Sequence, residues 1–568
     1  MPNIHLNFAW PLPVVLAAAV YAVLVMLSLS NDTIAHQDEA YYLSATNTMT
    51  ETGDYLVPRF DNEARIHKPI GYYWLMLPGQ MIFGHSFFTT RLVSLLSSIA
   101  LLAVAWKITA FFFDDHQRRI AAIWMLASAD MFFRYAHYSV PEMTLTFWMV
   151  LAHWAFLCYE RERSTQESGR RYLLAFYAFM GAAFMIKGPV GIILPLSVGM
   201  ITFLVQGCYR EILRMLWLPG LGLMVLVIAP WYLMLVHRFG WEQIFQMIRS
   251  ETGGRTGLNF GNLLFFVPVC LAFYLPWTVF LLDRFKLATI KAAAGQVARS
   301  HLFIWFTTYF VFYSVLVSEK HQWYALQWAV PWVLLLTRAM DFRVSDQPDR
   351  TIFRAFPVAA IVLAMICLAL YLMFGQIMAS ATAVGAMVAI TLASGLILAM
   401  MRRPRFTPLH RVMALATTAM VVHTVVFALF YTTTQLRPVM KFASHLQQQD
   451  GPFNLLIGDR YCNKKLRGYN FSGLDPDALY KPKTAEFVET LEEQKPDYVV
   501  CRQRRLEDKS VSVLLRSYRI EAEGYVRKKS EHKNGISDWL ALVKSREPKH
   551  VFDLALLLHR QDEVSGAP

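Results

Sequence analysis

Charged residues are scarce. Asp, Glu, Lys and Arg make up 17% of the 568 residues, against about a quarter in ordinary soluble domains, too few to coat a globule of this size. Cysteine is scarcer still, six in all, which excludes a disulfide-built scaffold. No internal repeat and no low-complexity segment is visible, so a solenoid or a disordered chain is excluded as well. The rarer sign of charge is negative: 41 acidic residues face 54 Lys and Arg, for a net charge of +13. That basic excess is not gathered on one segment, as a nucleic-acid-binding surface requires, but lies in short clusters between apolar runs. What is abundant is apolar. Hydrophobic residues reach 55% and aromatics 14%, more than one soluble core buries, and the bilayer must solvate the excess.

A membrane helix needs about 20 apolar residues. Runs near 11–29, 91–112, 120–137, 142–158, 173–187, 190–207, 215–236, 263–282, 302–318, 323–338, 355–374, 378–401 and 411–433 approach this, which predicts a polytopic α-helical membrane protein of about thirteen spans. The first run lacks the small-residue cleavage site of a signal peptide and reads as a retained helix. With the N-terminus in the cytoplasm, six inner connections carry Arg118 and Arg119; Arg161, Arg163, Arg170 and Arg171; Arg210 and Arg214; Arg284, Lys286, Lys291 and Arg299; Arg338, Arg343, Arg350 and Arg354; and Arg402, Arg403, Arg405 and Arg411. All six are basic, as the positive-inside rule requires.

The outer connections differ in kind. The first, 31–90, is too long for a turn, and its patterning predicts two amphipathic helices on the membrane surface, near Asp38–Glu51 and Tyr72–Ile82. Tyr72, Tyr73, Trp74, Leu75 and Leu77 are read as the face toward the interface. The second, 237–262, holds Glu251 and the glycine-rich Gly253-Gly254-Arg255 and is read as a mobile loop. The membrane part is assigned to 1–435. From 436 to 568 the composition becomes that of a small soluble α/β domain on the periplasmic side, with strand-like NLLIGD, DYVVC and DWLALV and a helix-like TAEFVETLEEQ. Cys462 and Cys501 fall there, and spacing alone leaves open whether they pair. Cys158, Cys208, Cys270 and Cys367 lie in or beside spans as small apolar residues.

Polar residues gather at the outer end of the bundle: His36, Asp38, Glu39, Arg59, Arg65, His67, Lys68, Glu142, Lys187, Glu251, Arg255, Lys320 and His321. A charge at the edge of hydrocarbon needs a partner, a cavity or a job. Singly, each has an ordinary explanation. Asp38 and Glu39 suit a solvated helix start, Lys68 before Pro69 suits snorkelling, Lys187 before Gly188-Pro189 marks a helix break, and His36, His67 and His321 suit an exposed surface.

Taken in chain order, they resemble a family. The segment from His36 to Ser97 is similar to the first outer loop of the GT-C glycosyltransferases related to protein O-mannosyltransferases, and among them to the lipid A aminoarabinose (4-amino-4-deoxy-L-arabinose) transferases. The matching pieces are Asp38-Glu39 followed by Tyr42, Lys68-Pro69 before Tyr72-Tyr73-Trp74, and Arg91-Leu92. KGPVGIILP from Lys187, PWY at Pro230–Tyr232, PW at Pro276-Trp277 and KHQWYALQWAVP from Lys320 follow in order, and the resemblance spans about residues 10–435.

The resemblance implies a GT-C fold and an inverting transfer, at the outer leaflet of the inner membrane, from a polyprenyl (undecaprenyl) phosphate sugar to lipid A phosphate or another envelope glycolipid. Nucleic acid is not an expected partner; membrane lipids are. It implies Asp38, Glu39 and Glu142 as the acidic machinery, Asp38 as general base or as the group that orients acceptor and sugar, and Tyr42, Arg59, Lys68, Lys187, Arg255, Lys320 and Tyr324 around the substrate and its phosphate. Where this chain departs from the family, Glu142 stands in SVPEMT where relatives often carry Asp, His67 replaces an acidic residue before Lys68, and Thr252 stands where a His is expected. The last two positions hold zinc in the aminoarabinose transferases, so no cofactor is assigned with certainty. His67 and Glu251 remain as a two-ligand remnant of a divalent metal site. The alternatives are a protein O-glycosyltransferase of the same fold and a transporter or flippase. A transporter places ionisable groups near the midplane and often shows inverted repeats, whereas here the charges sit at one face.

Overall fold

The computed structural model describes residues 10–29, 36, 38–60, 63–163, 166–253, 264–279, 300–339, 407–426, 454–459, 479–481, 483–527 and 552–561, with isolated positions between 362 and 466. The membrane part begins with α1 (Leu12–Leu29) and α2 (Glu39–Thr52), then a hairpin of β1 (Arg59–Phe60) and β2 (Glu63–Ala64). Next come α3 (Gly71–Phe83), α4 (Phe87–Thr109), α5 (His116–Ser128), α6 (Asp130–Tyr135), α7 (Glu142–Glu162), α8 (Gln166–Lys187) and α9 (Val190–Val205). They are followed by α10 (Tyr209–Met215), α11 (Leu218–Phe239), α12 (Trp241–Gly253), α13 (Phe266–Ala272), α14 (His301–Val311), α15 (Ala329–Ala339) and α16 (Pro408–Val426).

Local chemistry sets several boundaries. Ser86 and Thr89 form a capping box at the start of α4, the Ser86 hydroxyl accepting from the Thr89 N–H and the Thr89 hydroxyl from the Ser86 N–H, both at 3.2 Å. Asp115 caps α5 through the Gln117 N–H at 2.9 Å. Gly53, at φ 69°, closes α2 in the left-handed region that glycine enters without a Cβ penalty. Among the described residues, α4 and α11 are long and apolar enough to cross a bilayer by themselves; α1, α9 and α14 with its following turn are apolar but shorter.

α7 packs between α4 and α8, and α8 against α11. The bundle has two unlike ends. Arg161 stands 5.9 Å from the Phe111 ring beyond α4, and Arg163 donates to the Cys208 sulfur (3.6 Å) just before α10, so three of the basic connections meet. α7 starts at Glu142, so the acidic and cationic outer-loop residues lie at the opposite end.

Several expectations need correction. The run 120–137 is not one helix: Ala129 is extended (ψ 129°) between α5 and α6, where the Trp277 Nε1–H holds the Ser128 hydroxyl at 3.1 Å. Among the described residues of the run 263–282, which are 264–279, α13 is the one α-helix, followed by a 3-10 turn at Trp277–Val279. α14 runs into a π-turn at Phe312–Leu316, and Gln322–Trp328 is 3-10 before α15 begins. The runs 355–374 and 378–401, and the end of 411–433, lie outside the described residues.

The described part of the loop 237–262 is the end of α11 and the helix α12, whose apolar residues at 241, 244, 245 and 248 recur at helical spacing. α2 is no open surface helix. Tyr42, Ala45 and Met49 pack into the bundle while Ala40 and Leu43 pack under the C-terminal sheet. In α3, helical spacing turns Tyr72, Tyr73, Met76, Leu77 and Gln80 inward and leaves Trp74, Leu75, Met81, Ile82 and Phe83 exposed. Tyr72, Tyr73 and Leu77 therefore belong to the core rather than to the face toward the interface.

The C-terminal part contains β3 (Leu455–Ile457), β4 (Leu479–Tyr480), α17 (Thr484–Gln494), β5 (Tyr498–Arg502), α18 (Lys509–Leu514), β6 (Tyr518–Arg527) and β7 (Phe552–Arg560). The sheet order is β4-β3-β5-β7-β6, with β3 parallel to β4 and β5, and β7 antiparallel to β5 and β6. Both faces are covered, which is why the strands read as continuous apolar runs. Val499 and Cys501 face α17 and α18, while Tyr498 and Val500 face α2. Cys462 packs on the α2 side, opposite Cys501, and both thiols are free. DWLALV and the boundary at 435/436 lie outside the described residues.

Candidate active site

The site is built on the turn between α1 and α2. Glu39, fully buried, pairs with Arg91 of α4: Arg91 Nε donates to Oε1 (2.9 Å) and its Nη2 to Oε2 (3.3 Å). The Ser139 N–H (2.8 Å) and His36 N–H (3.0 Å) donate to the same carboxylate, and Arg91 also donates to the Leu29 carbonyl (3.2 Å). Burial pushes the Glu39 carboxyl up, but the Arg91 charge and these donors outweigh it and hold the group below the ordinary carboxylate range. With its oxygens so occupied, Glu39 holds the turn between α1 and α2 in place.

Asp38 is the half-buried residue at the head of α2, its N–H donating to His36 Nδ1 at 3.2 Å. Its carboxylate acts electrostatically on Arg65, Lys187, His321, Tyr42 and Tyr73, so these groups surround it. Lys187, the last residue of α8, donates to Glu142 Oε1 at 2.6 Å, and its ammonium stands 5.9 Å from the Tyr324 ring centre. Each partner is favoured where it sits, the lysine at a helix C-terminus and the carboxylate at the N-terminus of α7. Glu142 Oε2 is buried and has no hydrogen-bond partner among the described residues.

A cavity of about 520 Å³ opens beside this pair. Phe184, Ile193, Val225, Ile228, Val236 and Ile244, from α8, α9, α11 and α12, give it apolar walls. Its polar lining comes from His67 and Lys68 of the outer loop together with Lys187, Tyr313, Tyr324 and Gln327. Gly71 lets that loop lie on the end of α8, because a Cβ there would stand 2.6 Å from the Met185 carbonyl oxygen. Trp231 Nε1–H donating to the Leu56 carbonyl (3.0 Å) and the Arg238–Asp54 ion pair (2.9 Å) tie α11 to the same loop.

Not every predicted residue converges. Lys320 donates to the carbonyls of Ser314 (2.6 Å), Val317 (2.8 Å) and Tyr313 (3.3 Å), so it caps the turn after α14 and is a poor phosphate ligand. Tyr42 is buried, its ring edge-on to Tyr72 (5.1 Å) and tilted against Tyr73 (5.2 Å), which makes it part of the support. Arg59 lies on β1, half-buried, and is not among the cavity's lining residues. Tyr324 stacks on Tyr313 at 4.4 Å. Arg255 and the side chain of Glu251 lie outside the described residues. Among the described residues no three His, Cys, Asp or Glu side chains converge.

Sequence reasoning gave Arg65 no role. Its Nε–H donates to the Tyr73 hydroxyl (2.9 Å) and its guanidinium lies 4.2 Å over Tyr41, beneath Asp38's surroundings. The tyrosines at 41, 42 and 73, from two helices, offer this half-buried guanidinium ring faces and an oxygen, an arrangement that no local pattern in the sequence announces.

Residues 67–234 match the family described as dolichyl-phosphate-mannose-protein mannosyltransferase. An undecaprenyl phosphate-alpha-4-amino-4-deoxy-L-arabinose arabinosyl transferase of Pseudomonas fluorescens (strain Pf-5) is 26% identical over 358 residues, 60% of this chain and 58% of the relative. A second such transferase, from Proteus mirabilis, is 24% identical over 58% of this chain and 60% of its own length. The chain thus matches under two thirds of the length of these relatives. The crystal structure of ArnT from Cupriavidus metallidurans bound to undecaprenyl phosphate superimposes with a TM-score of 0.71 at 20% identity, covering 98% of this chain and 99% of that one. The apo form gives 0.67 at 21% identity, covering 87% and 93%. The resemblance read in the sequence therefore holds, and the chain shares the polytopic helical GT-C membrane fold of these glycosyltransferases.

Proposed function

We propose, from a chain with the fold of a polyprenyl-phosphate sugar transferase, that it is an inverting glycosyltransferase. It moves a sugar from undecaprenyl phosphate to a lipid A phosphate or another envelope glycolipid at the outer leaflet of the inner membrane. One observation carries this reading: Lys68 and Lys187 line an apolar cavity of about 520 Å³ beside Asp38. An isoprenoid suits the apolar walls, and its phosphate suits the lysines.

In the reaction an acceptor oxygen bonds to the anomeric carbon as the bond to the polyprenyl phosphate oxygen breaks from the opposite face. The phosphate leaves with the electron pair, and fixed cations aimed at that charge in a site screened from water lower the barrier. Lys68 and Lys187 fill this role, with Glu142 holding Lys187 in place. Asp38 orients acceptor and sugar; a lipid A phosphate is already an anion, so a base adds little, whereas a hydroxyl acceptor makes Asp38 the general base. No step is routed through a metal. The gathering of basic connections at the end opposite Asp38 supports a cytoplasmic N-terminus and a periplasmic C-terminal domain.

The match of residues 67–234 to protein mannosyltransferases favours one rival, transfer to a secreted protein. Mass spectrometry of lipid A and of periplasmic glycoproteins from wild-type cells, a deletion, and an Asp38→Ala version at equal membrane level decides between them. A sugar-sized mass lost from lipid A in both mutants is expected. Intact lipid A with a glycan lost from protein selects the rival, intact lipid A and protein glycans with a sugar lost from the other envelope glycolipids in the same extracts selects that acceptor, and no sugar lost from any of the three refutes the transferase reading.

A further inference from the structure

The carboxyl ends of the parallel strands β4, β3 and β5 meet the start of α17 and enclose a second, polar cavity of about 320 Å³. From β3 the chain passes first to one neighbour, β4, and then to the other, β5. A crevice opens at such a reversal of strand order, and in open α/β sheets ligands bind there.

Arg502, Arg504 and Arg505 line this cavity together with Asp459 and Asp508, and both carboxylates already have partners. Asp459 accepts from Nε of the buried Arg502 (2.7 Å) and from the Cys462 N–H (2.9 Å), while Asp508 caps α18 through the Ser510 N–H (3.0 Å). Arg505 spreads its guanidinium 4.5 Å over the Phe487 ring and donates toward the Lys481 carbonyl at 3.4 Å. It fits only because residue 458 is glycine: a Cβ there would stand 2.6 Å from an Arg505 nitrogen and 2.7 Å from the Phe487 ring. Thr484 opens α17 at the cavity wall, and the residue before it supplies no side-chain cap.

We propose that this cavity binds a phosphate-bearing group, seated between Arg504, Arg505 and the first turn of α17. A guanidinium meets two phosphate oxygens at once, and an uncapped helix start adds N–H donors and the positive end of its dipole. The stack on Phe487 holds Arg505 ready, so little side-chain freedom is lost on binding. Neither the proposed transfer reaction nor the cavity lined by Lys68 and Lys187 uses these residues.

Hydrogen exchange of residues 484–508 in the full-length protein in detergent tests this, with and without inorganic phosphate at constant ionic strength. Exchange slowed roughly threefold or more is expected, and lost in Arg504→Glu, an exposed position where the change leaves the fold intact. Nanodiscs of phosphatidylglycerol against phosphatidylcholine, without added phosphate, identify the source. Protection by the anionic lipid places the phosphate on a head group, and protection by soluble phosphate alone places it on a free ligand. No protection in any arm, or equal protection in wild type and Arg504→Glu, overturns the proposal.

Discussion

Glu39 and Arg91 form the ion pair on which the position of Asp38 depends. Both are fully buried, and removing one partner of such a pair leaves an uncompensated charge, at a cost of about 3–5 kcal/mol, whereas replacing both by neutral groups costs far less. Arg91→Met is therefore expected to lower the thermal midpoint in detergent more than Glu39→Gln/Arg91→Met does; an equal loss would mean that the pair contributes only packing. The same pair predicts a pH dependence. The folded Glu39 carboxyl is held below its ordinary value, so the folded state binds fewer protons than the unfolded one. Its stabilisation is full above the unfolded value of about 4.3 and is lost as pH falls through the folded value. Wild type is expected to lose stability below about pH 4 more steeply than Glu39→Gln/Arg91→Met, and parallel curves from unfolding scans would contradict this.

At the scale of elements, two of the three lysines that the sequence offered around the phosphate separate by what they touch. Lys187 ends α8 at the cavity, whereas Lys320 satisfies three carbonyls at the end of the π-turn. Burial pushes the Lys320 ammonium below its ordinary value, consistent with a group turned toward backbone. Lys187→Met is expected to reduce turnover of the folded enzyme about 10²–10³-fold, as loss of a charge-stabilising group does, and also to lower stability because Glu142 is left buried without its cation. Lys320→Met is expected to lower stability by about 1–3 kcal/mol through the orphaned carbonyls and to leave turnover of the folded enzyme within a few-fold. Initial rates at equal amounts of folded protein separate these outcomes, and a reversed pattern would exchange the assigned roles. The same contrast marks the limit of what was legible. TAEFVETLEEQ reads directly as a helix, whereas the starts of α4 and α5, set by Ser86 with Thr89 and by Asp115, read several residues late because the apolar run begins only after the capped turn. The breaks at Ala129 and at Phe312–Trp328 could not be read, because an apolar run continues through them and the causes are distant: Trp277 on Ser128, and Lys320 folding back. Asp38, Lys68 and Lys187 were legible through their order along the chain; Arg65 was not, since its partners lie on two helices that only the fold brings together.

For the whole molecule, the decisive feature is that the C-terminal sheet packs on the helix that follows the Asp38 turn. α2 carries Asp38 at its head and has the bundle on one side, through Tyr42, Ala45 and Met49, and the sheet on the other, where Ala40, Leu43 and Phe87 meet Leu455, Ile457, Tyr498, Val500 and Leu557. Apolar burial at about 25 cal/mol per Å² on that second side is lost if the sheet is removed, while the Glu39–Arg91 clamp remains at the head of the helix. A chain ending before residue 436 is therefore expected to insert in the membrane, to become cleavable by protease within 39–52, and to transfer sugar at least tenfold more slowly by lipid A mass spectrometry. Leu43→Asp in the full chain keeps the domain yet places a charge in the same contact, and the same direction of change is expected from it. A truncated chain with unaltered transfer and a protected α2 would mean that the bundle alone holds Asp38 in place and that the domain serves only its own ligand.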